Sequence, residues 1–400
     1  MSRQRENRID LIRGVSLLLI FVDHANVSFS EGLQQSRGFS DAAELFVMMA
    51  GMSAALAYHP ATGPADLATA ASRTLRRVLK LYRLHLTMIL CLATAVILAP
   101  LPNHPEIVAN WSLDVFAGEP GRFLLEALSL RYLPAELDIL PLYVVLIASV
   151  PLWFALLDRS PWLALTVAAA LWLVAGLFRI NLTDLAQPRQ HWYFNPFCWQ
   201  LVFVIGLAAG LRLRRGETPF PYRRPLFLAA AAIAIVAIPA NLLMHFGANP
   251  AEGPLRLLVT KTSEGPLRLI NAIAIVYVMF NLDALARLPA EGWLRPLFAA
   301  GRNSLPVFVA GTILADLVTV CVIGSGGLSL TTELALVLCG VVLQLALAAR
   351  LDRRRRKPSG APAGSLLVAS QEDQDYGSRV SPTPTPIPIP TSDAARHSTT

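Results

Sequence analysis

Apolar runs of about twenty residues, the length a helix needs to cross a hydrocarbon core, recur along the whole chain, separated by short stretches of charged residues, proline and glycine. They fall near residues 9–29, 40–58, 78–100, 138–157, 161–178, 195–212, 225–244, 266–286, 303–323 and 329–349. The fourth and fifth runs nearly touch across Asp158, Arg159, Ser160 and Pro161, and Pro306 falls inside the ninth. The short alternating segments that mark a transmembrane β-barrel are absent from the pattern. The pattern predicts an all-α fold, a polytopic transmembrane helix bundle of about ten spans. No internal repeat divides these runs into matching halves.

Composition agrees with this reading. A chain of 400 residues that is 54% apolar and 15% charged, with a mean hydropathy of +0.51, has too few charges to cover a soluble globule of its size. Its net charge of +7 sits at the ends of apolar runs instead of along one basic face, so it reports topology and not nucleic-acid binding. Lys and Arg gather at Arg73, Arg76, Arg77, Lys80 and Arg83, then at Arg212, Arg214, Arg215, Arg223 and Arg224, and finally at Arg350 and residues 353–357. The opposite side holds only scattered cases, among them Arg37, Arg131, Arg189, Lys261 and Arg268. By the positive-inside rule both termini are expected in the cytoplasm, with an even number of spans.

The first run keeps Asp10, Arg13, Asp23 and His24 and lacks a small-residue cleavage site, so it is expected to stay in the mature protein. Cys91, Cys198, Cys321 and Cys339 show no metal-binding spacing and read as small buried apolar residues. Beyond Pro358 the chain becomes rich in Ser, Thr, Pro and Ala. The expected division is a membrane domain over residues 1–357 and a disordered cytoplasmic tail over 358–400.

The first span carries the strongest candidate chemistry. Arg13 and His24 lie eleven positions apart, so at about 100° per residue they return to one helix face, about 16–17 Å apart along the axis. Alone, Arg13 reads equally well as a snorkelling interfacial arginine beside Asp10, and His24 as an outer-interface histidine. Sharing one stripe, they read better as two ends of a reaction path, because ionisable groups within a membrane are costly and usually functional.

In the second run, Ser40 is expected as the N-cap, with Asp41 and Glu44 in the first turn, where the helix dipole favours carboxylates. Capping explains Asp41 as well as function does. Glu44 is the better functional candidate, and a hairpin of the first two spans would let one of these carboxylates fix the tautomer of His24. Asp23 is a poorer orienter, since sequence neighbours on a helix point about 100° apart.

Two later stretches add candidate binding residues. HWYFNPFCWQ, residues 191–200, combines Asn195 and Gln200 with aromatic rings, a composition suited to stacking on sugars and bonding their hydroxyls, or simply to anchoring at the interface. TKTSEGPLRLIN, residues 260–271, places Lys261, Arg268 and Asn271 at the disfavoured side for positive charge, where an anionic group would account for the first two.

At these residues the chain resembles a known family. RIDLIRGVSLLLIFVDHAN from Arg8 and GFSDAAELFVMMAG from Gly38 are similar to the OpgC family, bacterial inner-membrane proteins that attach succinyl groups to osmoregulated periplasmic glucans, within the wider acyltransferase-3 superfamily. LPLYVVLIASVPL, WYFNPFCWQLVFVIG, KTSEGPLRLINAIAIVY and GRNSLPVFV extend the resemblance through nearly all of the membrane portion. It implies a ten-helix architecture in which Arg13 and His24 match the superfamily's arginine and histidine pair. The chain departs from the family pattern at Met48, Met49, Ala50 and Met52, where relatives tend to carry polar or aromatic residues that would bear on the acceptor path.

The combined expectation is an O-acyltransferase of the bacterial inner membrane. Its cosubstrate would be a cytoplasmic acyl-CoA such as succinyl-CoA, its acceptor a periplasmic glycan, with no bound cofactor and no metal. Partners would be the lipid bilayer, the two substrates and other components of glucan synthesis. His24 would serve as general base or as a transient acyl carrier, with Arg13, Asp23, Asp41 and Glu44 in its catalytic group. Asn195, Gln200, Lys261, Arg268 and Asn271 would bind substrate. Two rival readings stand beside it: a secondary transporter of an anionic solute, and a noncatalytic membrane component of glucan synthesis.

Overall fold

The computed structural model describes residues 6–98, 111, 113, 119–134, 137–186, 191–247 and 254–356. The anticipated tail, 358–400, lies outside the described residues. The first helices are Asn7–His24 (α1), Ser30–Gln35 (α2), Ala42–Tyr58 (α3) and Leu67–Leu98 (α4). Pro120–Leu128 (α5), Ile139–Ala148 (α6), Val150–Arg159 (α7) and Pro161–Leu177 (α8) follow. Next come Pro196–Arg214 (α9), Arg224–Phe246 (α10), Pro254–Val259 (α11) and Pro266–Asn281 (α12). The last are Asp283–Ala286 (α13), Arg295–Arg302 (α14), Ser304–Gly324 (α15) and Leu330–Arg356 (α16). Among the described residues the one trace of β structure is an isolated bridge between Thr183 and His191.

Every apolar run of the sequence carries a helix, but not every helix has the length and composition of a span. Among the described residues five do: α4, α9, α10, α15 and α16. The pair α6 and α7 makes a sixth if its 47° bend is taken as one broken span. The bend falls at Ser149, where α7 restarts with Pro151 in its first turn; proline offers no N–H to the preceding turn. Three shorter apolar helices, α3, α8 and α12, add to these. Helix α1 is not among them, having Arg8, Asp10, Arg13 and Asp23 within 18 residues. Ser160 caps α8, its hydroxyl accepting from Leu163 N–H, so the fourth and fifth runs are separate helices. Pro306 does not break the ninth run, because α15 begins at Ser304 and places it in the first turn.

Close helix contact is built on glycine. A side chain added at Gly206 would strike the Met48 carbonyl, at Gly210 the Met52 backbone, and at Gly51 the Phe203 carbonyl. Gly206 and Gly210 form a small-xxx-small pattern that brings α9 against α3, the kind of seam on which membrane helices pack. Met48, Met49 and Met52 are therefore wholly buried core residues. Helix α1 packs against α3, α14 and α15. Gly301 of α14 lies against the Asp10 backbone, and Gly14 against Leu297. Ile9, Leu11, Ile12, Leu17, Phe21 and Val22 are all buried, so α1 is enclosed and its polar side chains must find partners inside the protein.

Candidate functional site

His24 is the last residue of α1, which ends as Ala25 caps it and Asn26 turns to a φ of 49°. Its Nδ1–H donates to the Ile20 carbonyl oxygen at 2.7 Å. A carbonyl can only accept, so Nδ1 carries a proton, and in the neutral imidazole Nε2 keeps its lone pair. The backbone thus sets the tautomer, a role the sequence had assigned to Asp41 or Glu44. Asp23 is engaged elsewhere, accepting two bonds from Arg37 at 2.7 and 2.6 Å, which fastens the end of α1 to the segment after α2.

The N-cap of α3 is Asp41, not Ser40. Asp41 accepts from Ala43 N–H at 2.8 Å while Glu44 accepts from Asp41 N–H at 2.9 Å, a capping box. Ser40 instead meets the Asn271 side chain at 2.9 Å. The same carboxylates hold the two cations of the 260–271 stretch. Lys261 Nζ is 2.6 Å from Asp41, and Arg268 donates from Nε to Glu44 at 2.7 Å and reaches Asp41 at 3.2 Å. Burial opposes charge on Lys261, but Asp41, Tyr193 and Glu44 together outweigh it and push the ammonium pKa up. The Asp23–Arg37 pair ties the end of α1 to the segment that leads through Gly38, Phe39 and Ser40 into this cluster.

Glu264, in the turn between α11 and α12, joins this cluster fully buried. Burial first, and the charge of Glu44 second, hold its carboxyl well above the usual carboxylate range. Glu264 is not among the candidates the sequence pattern singles out; its one signal there is an acidic residue between two cations, Lys261 and Arg268.

The turn is pinned by the aromatic stretch. Trp199 Nε1–H donates to the Lys261 carbonyl at 2.9 Å, Asn195 N–H to the Thr262 carbonyl at 3.1 Å, and Trp172 Nε1–H to the Glu264 carbonyl at 2.8 Å. Asn195 and Gln200 turn inward: Asn195 caps α9 and donates to the Ile180 carbonyl at 2.7 Å, and Gln200 donates to the Ala168 carbonyl at 2.7 Å. Their side chains hold helices together.

Two cavities of opposite character lie among these elements. The larger, about 220 Å³, is mainly apolar and is lined by Arg13, Phe46, Tyr58, Arg77, Tyr143 and Phe308 among others. Arg13 donates to Ser53 Oγ at 3.3 Å and to Ser304 Oγ, with its guanidinium over the Phe46 ring at 5.7 Å. The second, about 190 Å³, is polar, and Asp41, Lys261 and Arg268 form part of its wall. His24 lines neither. Among the described residues no group of three or more His, Cys, Asp or Glu is arranged to hold a metal ion.

No curated protein and no solved structure matches the chain. The family described as OpgC protein matches residues 5–356, the whole helical portion. With α1, its arginine and histidine, and the segments packed around them all inside that match, the chain belongs to the OpgC family.

Proposed function

We propose that the protein is an O-acyltransferase of the bacterial inner membrane, crossing it about ten times with both termini in the cytoplasm. It transfers succinyl, or a similar acyl group, from a cytoplasmic acyl-CoA to hydroxyls of osmoregulated periplasmic glucans. Family membership supports the glucan context. The observation that carries the chemistry is the arrangement along α1: Arg13 on the wall of an apolar cavity, and eleven residues on, a histidine whose Nε2 is kept as a proton acceptor.

The donor enters at the cavity lined by Arg13 and Arg77, cations suited to its phosphates. An extended pantetheine arm covers the roughly 16 Å from Arg13 to His24 along the helix. There a glucan hydroxyl attacks the thioester carbonyl carbon as Nε2 takes its proton. Collapse of the tetrahedral adduct forms the ester and breaks the C–S bond, and the proton leaves with the CoA thiol. Lys261, the cation held by Asp41 on the wall of the polar cavity, would favour the negative charge that develops on the carbonyl oxygen.

The test is glucan composition in a strain lacking the gene. Periplasmic glucans should lose their ester-linked acyl groups on deletion and regain them on complementation, and membranes from the complemented strain should transfer label from acyl-CoA to unsubstituted glucan. Restoration without label transfer would argue for a transport or scaffolding role.

A further inference from the structure

We propose that the polar cavity beside Asp41 and Lys261 is the acceptor subsite and seats one glucose ring, stacked on Tyr193 and hydrogen-bonded through Gln34 and Asn241. The proposal rests on the acyl-transfer reading for its ligand class, and on the cavity itself for its residues.

Its wall is chemically mixed in the way a polyhydroxyl ligand requires. Amides at Gln34, Gln35 and Asn241 offer both donors and acceptors, Lys261 donates, and the Asp41 carboxylate accepts. These groups are already positioned. Asn241 donates to the Gln35 carbonyl and side-chain oxygens at 3.0 and 2.8 Å, and Gln34 donates to Asp41 at 3.2 Å. A ring entering here gives up little conformational entropy in ordering the side chains it meets.

Tyr193 supplies the apolar face. It is 39% exposed, whereas its neighbours Trp192 and Phe194 are buried. Its ring is braced edge-on against Phe194 at 5.0 Å, with Lys261 Nζ 5.8 Å from its centre. An aromatic ring held rigid at a polar cavity's edge presents a flat surface to the C–H face of a sugar. The stretch read from the sequence as a sugar platform thus contributes its tyrosine, while Asn195 and Gln200 serve the scaffold.

The position also suits the reaction. Arg37, which grips Asp23 at the end of α1, directly precedes Gly38, Phe39 and Ser40 of the cavity wall, so the cavity opens beside the segment fastened to the end of α1.

The experiment uses the purified full-length protein in detergent and unsubstituted periplasmic glucan isolated from the deletion strain. Binding is measured by saturation-transfer NMR and calorimetry without any donor present. Wild type should bind; Tyr193→Ala and Gln34→Ala should each weaken binding about tenfold or more and raise the KM for glucan while kcat changes little. Tyr193→Phe, which keeps the ring, should bind nearly as wild type does. Unaltered binding in both Tyr193→Ala and Gln34→Ala, or variants that acylate glucan with the wild-type KM, overturns the subsite. Glucan binding that depends on Tyr193, in a protein that transfers no acyl group, would uphold the subsite and reject the acyl-transfer reading instead.

Discussion

The Nδ1–H of His24 donates to the carbonyl oxygen of Ile20 at 2.7 Å, one turn back on the same helix. The imidazole is thereby oriented by backbone, and no carboxylate is needed to choose its tautomer. Asp41→Asn, which keeps an oxygen to accept from Ala43 N–H, should therefore cost acyl transfer no more than about tenfold, through its weaker hold on Lys261. Removing a carboxylate that truly orients a catalytic histidine costs about 10⁴-fold. Initial rates of the two proteins with acyl-CoA and glucan distinguish these cases.

Arg268 neutralises two buried carboxylates at once, Asp41 and Glu44. Arg268→Ala leaves both without that partner, and breaking a buried pair from one side costs about 3–5 kcal/mol. A melting temperature well below wild type in detergent is the expected result, with Arg268→Lys in between because a point charge cannot reproduce the forked contact.

The glycine seam makes a paired prediction. Gly206 faces the Met48 backbone carbonyl, whereas nothing lies near Gly176 of α8. Gly206→Ala should destabilise by about 1–3 kcal/mol through overpacking. Gly176→Ala should be neutral or stabilising by up to about 1 kcal/mol, since alanine is the better helix former. Thermal melts of the two variants in one detergent test the contrast.

Asp184, in the segment between α8 and α9, is fully buried, and burial pushes its carboxyl up to about 6 from an ordinary 3.8. The folded protein therefore binds this proton more tightly than the unfolded chain, and stability falls as pH rises between those two values. Asp184 Oδ1 accepts from Leu133 N–H and Ala186 N–H, both at 3.0 Å. Asp184→Asn can keep both bonds and has no proton to lose, so its melting temperature should fall less than that of wild type from pH 4 to pH 6.5.

Much of the scaffold was legible in the sequence because apolar runs and their punctuation are local signals. Ser160–Pro161 marks a true helix start, and every run is helical, the fourth as two helices. The number of spans is less legible, because crossing depends on length and burial together: α1 is enclosed by neighbours despite four charges, and Pro151 bends a run that reads as one. The pairing of Asp41 and Glu44 with Lys261 and Arg268 joins residues more than 200 positions apart and leaves no local trace. The inward turn of Asn195 and Gln200, and the glycine seam that buries Met48 and Met52, were equally out of reach, since composition gives no direction to a side chain.

The most direct test of the central claim is the acyl content of periplasmic glucans in the deletion strain complemented with wild type or with an equally expressed His24→Ala variant. In the proposed mechanism Nε2 of His24 takes the proton of the acceptor hydroxyl. Wild type should restore glucan acylation and His24→Ala should restore none. Full acylation by the variant would show that His24 has a structural role and would contradict the mechanism.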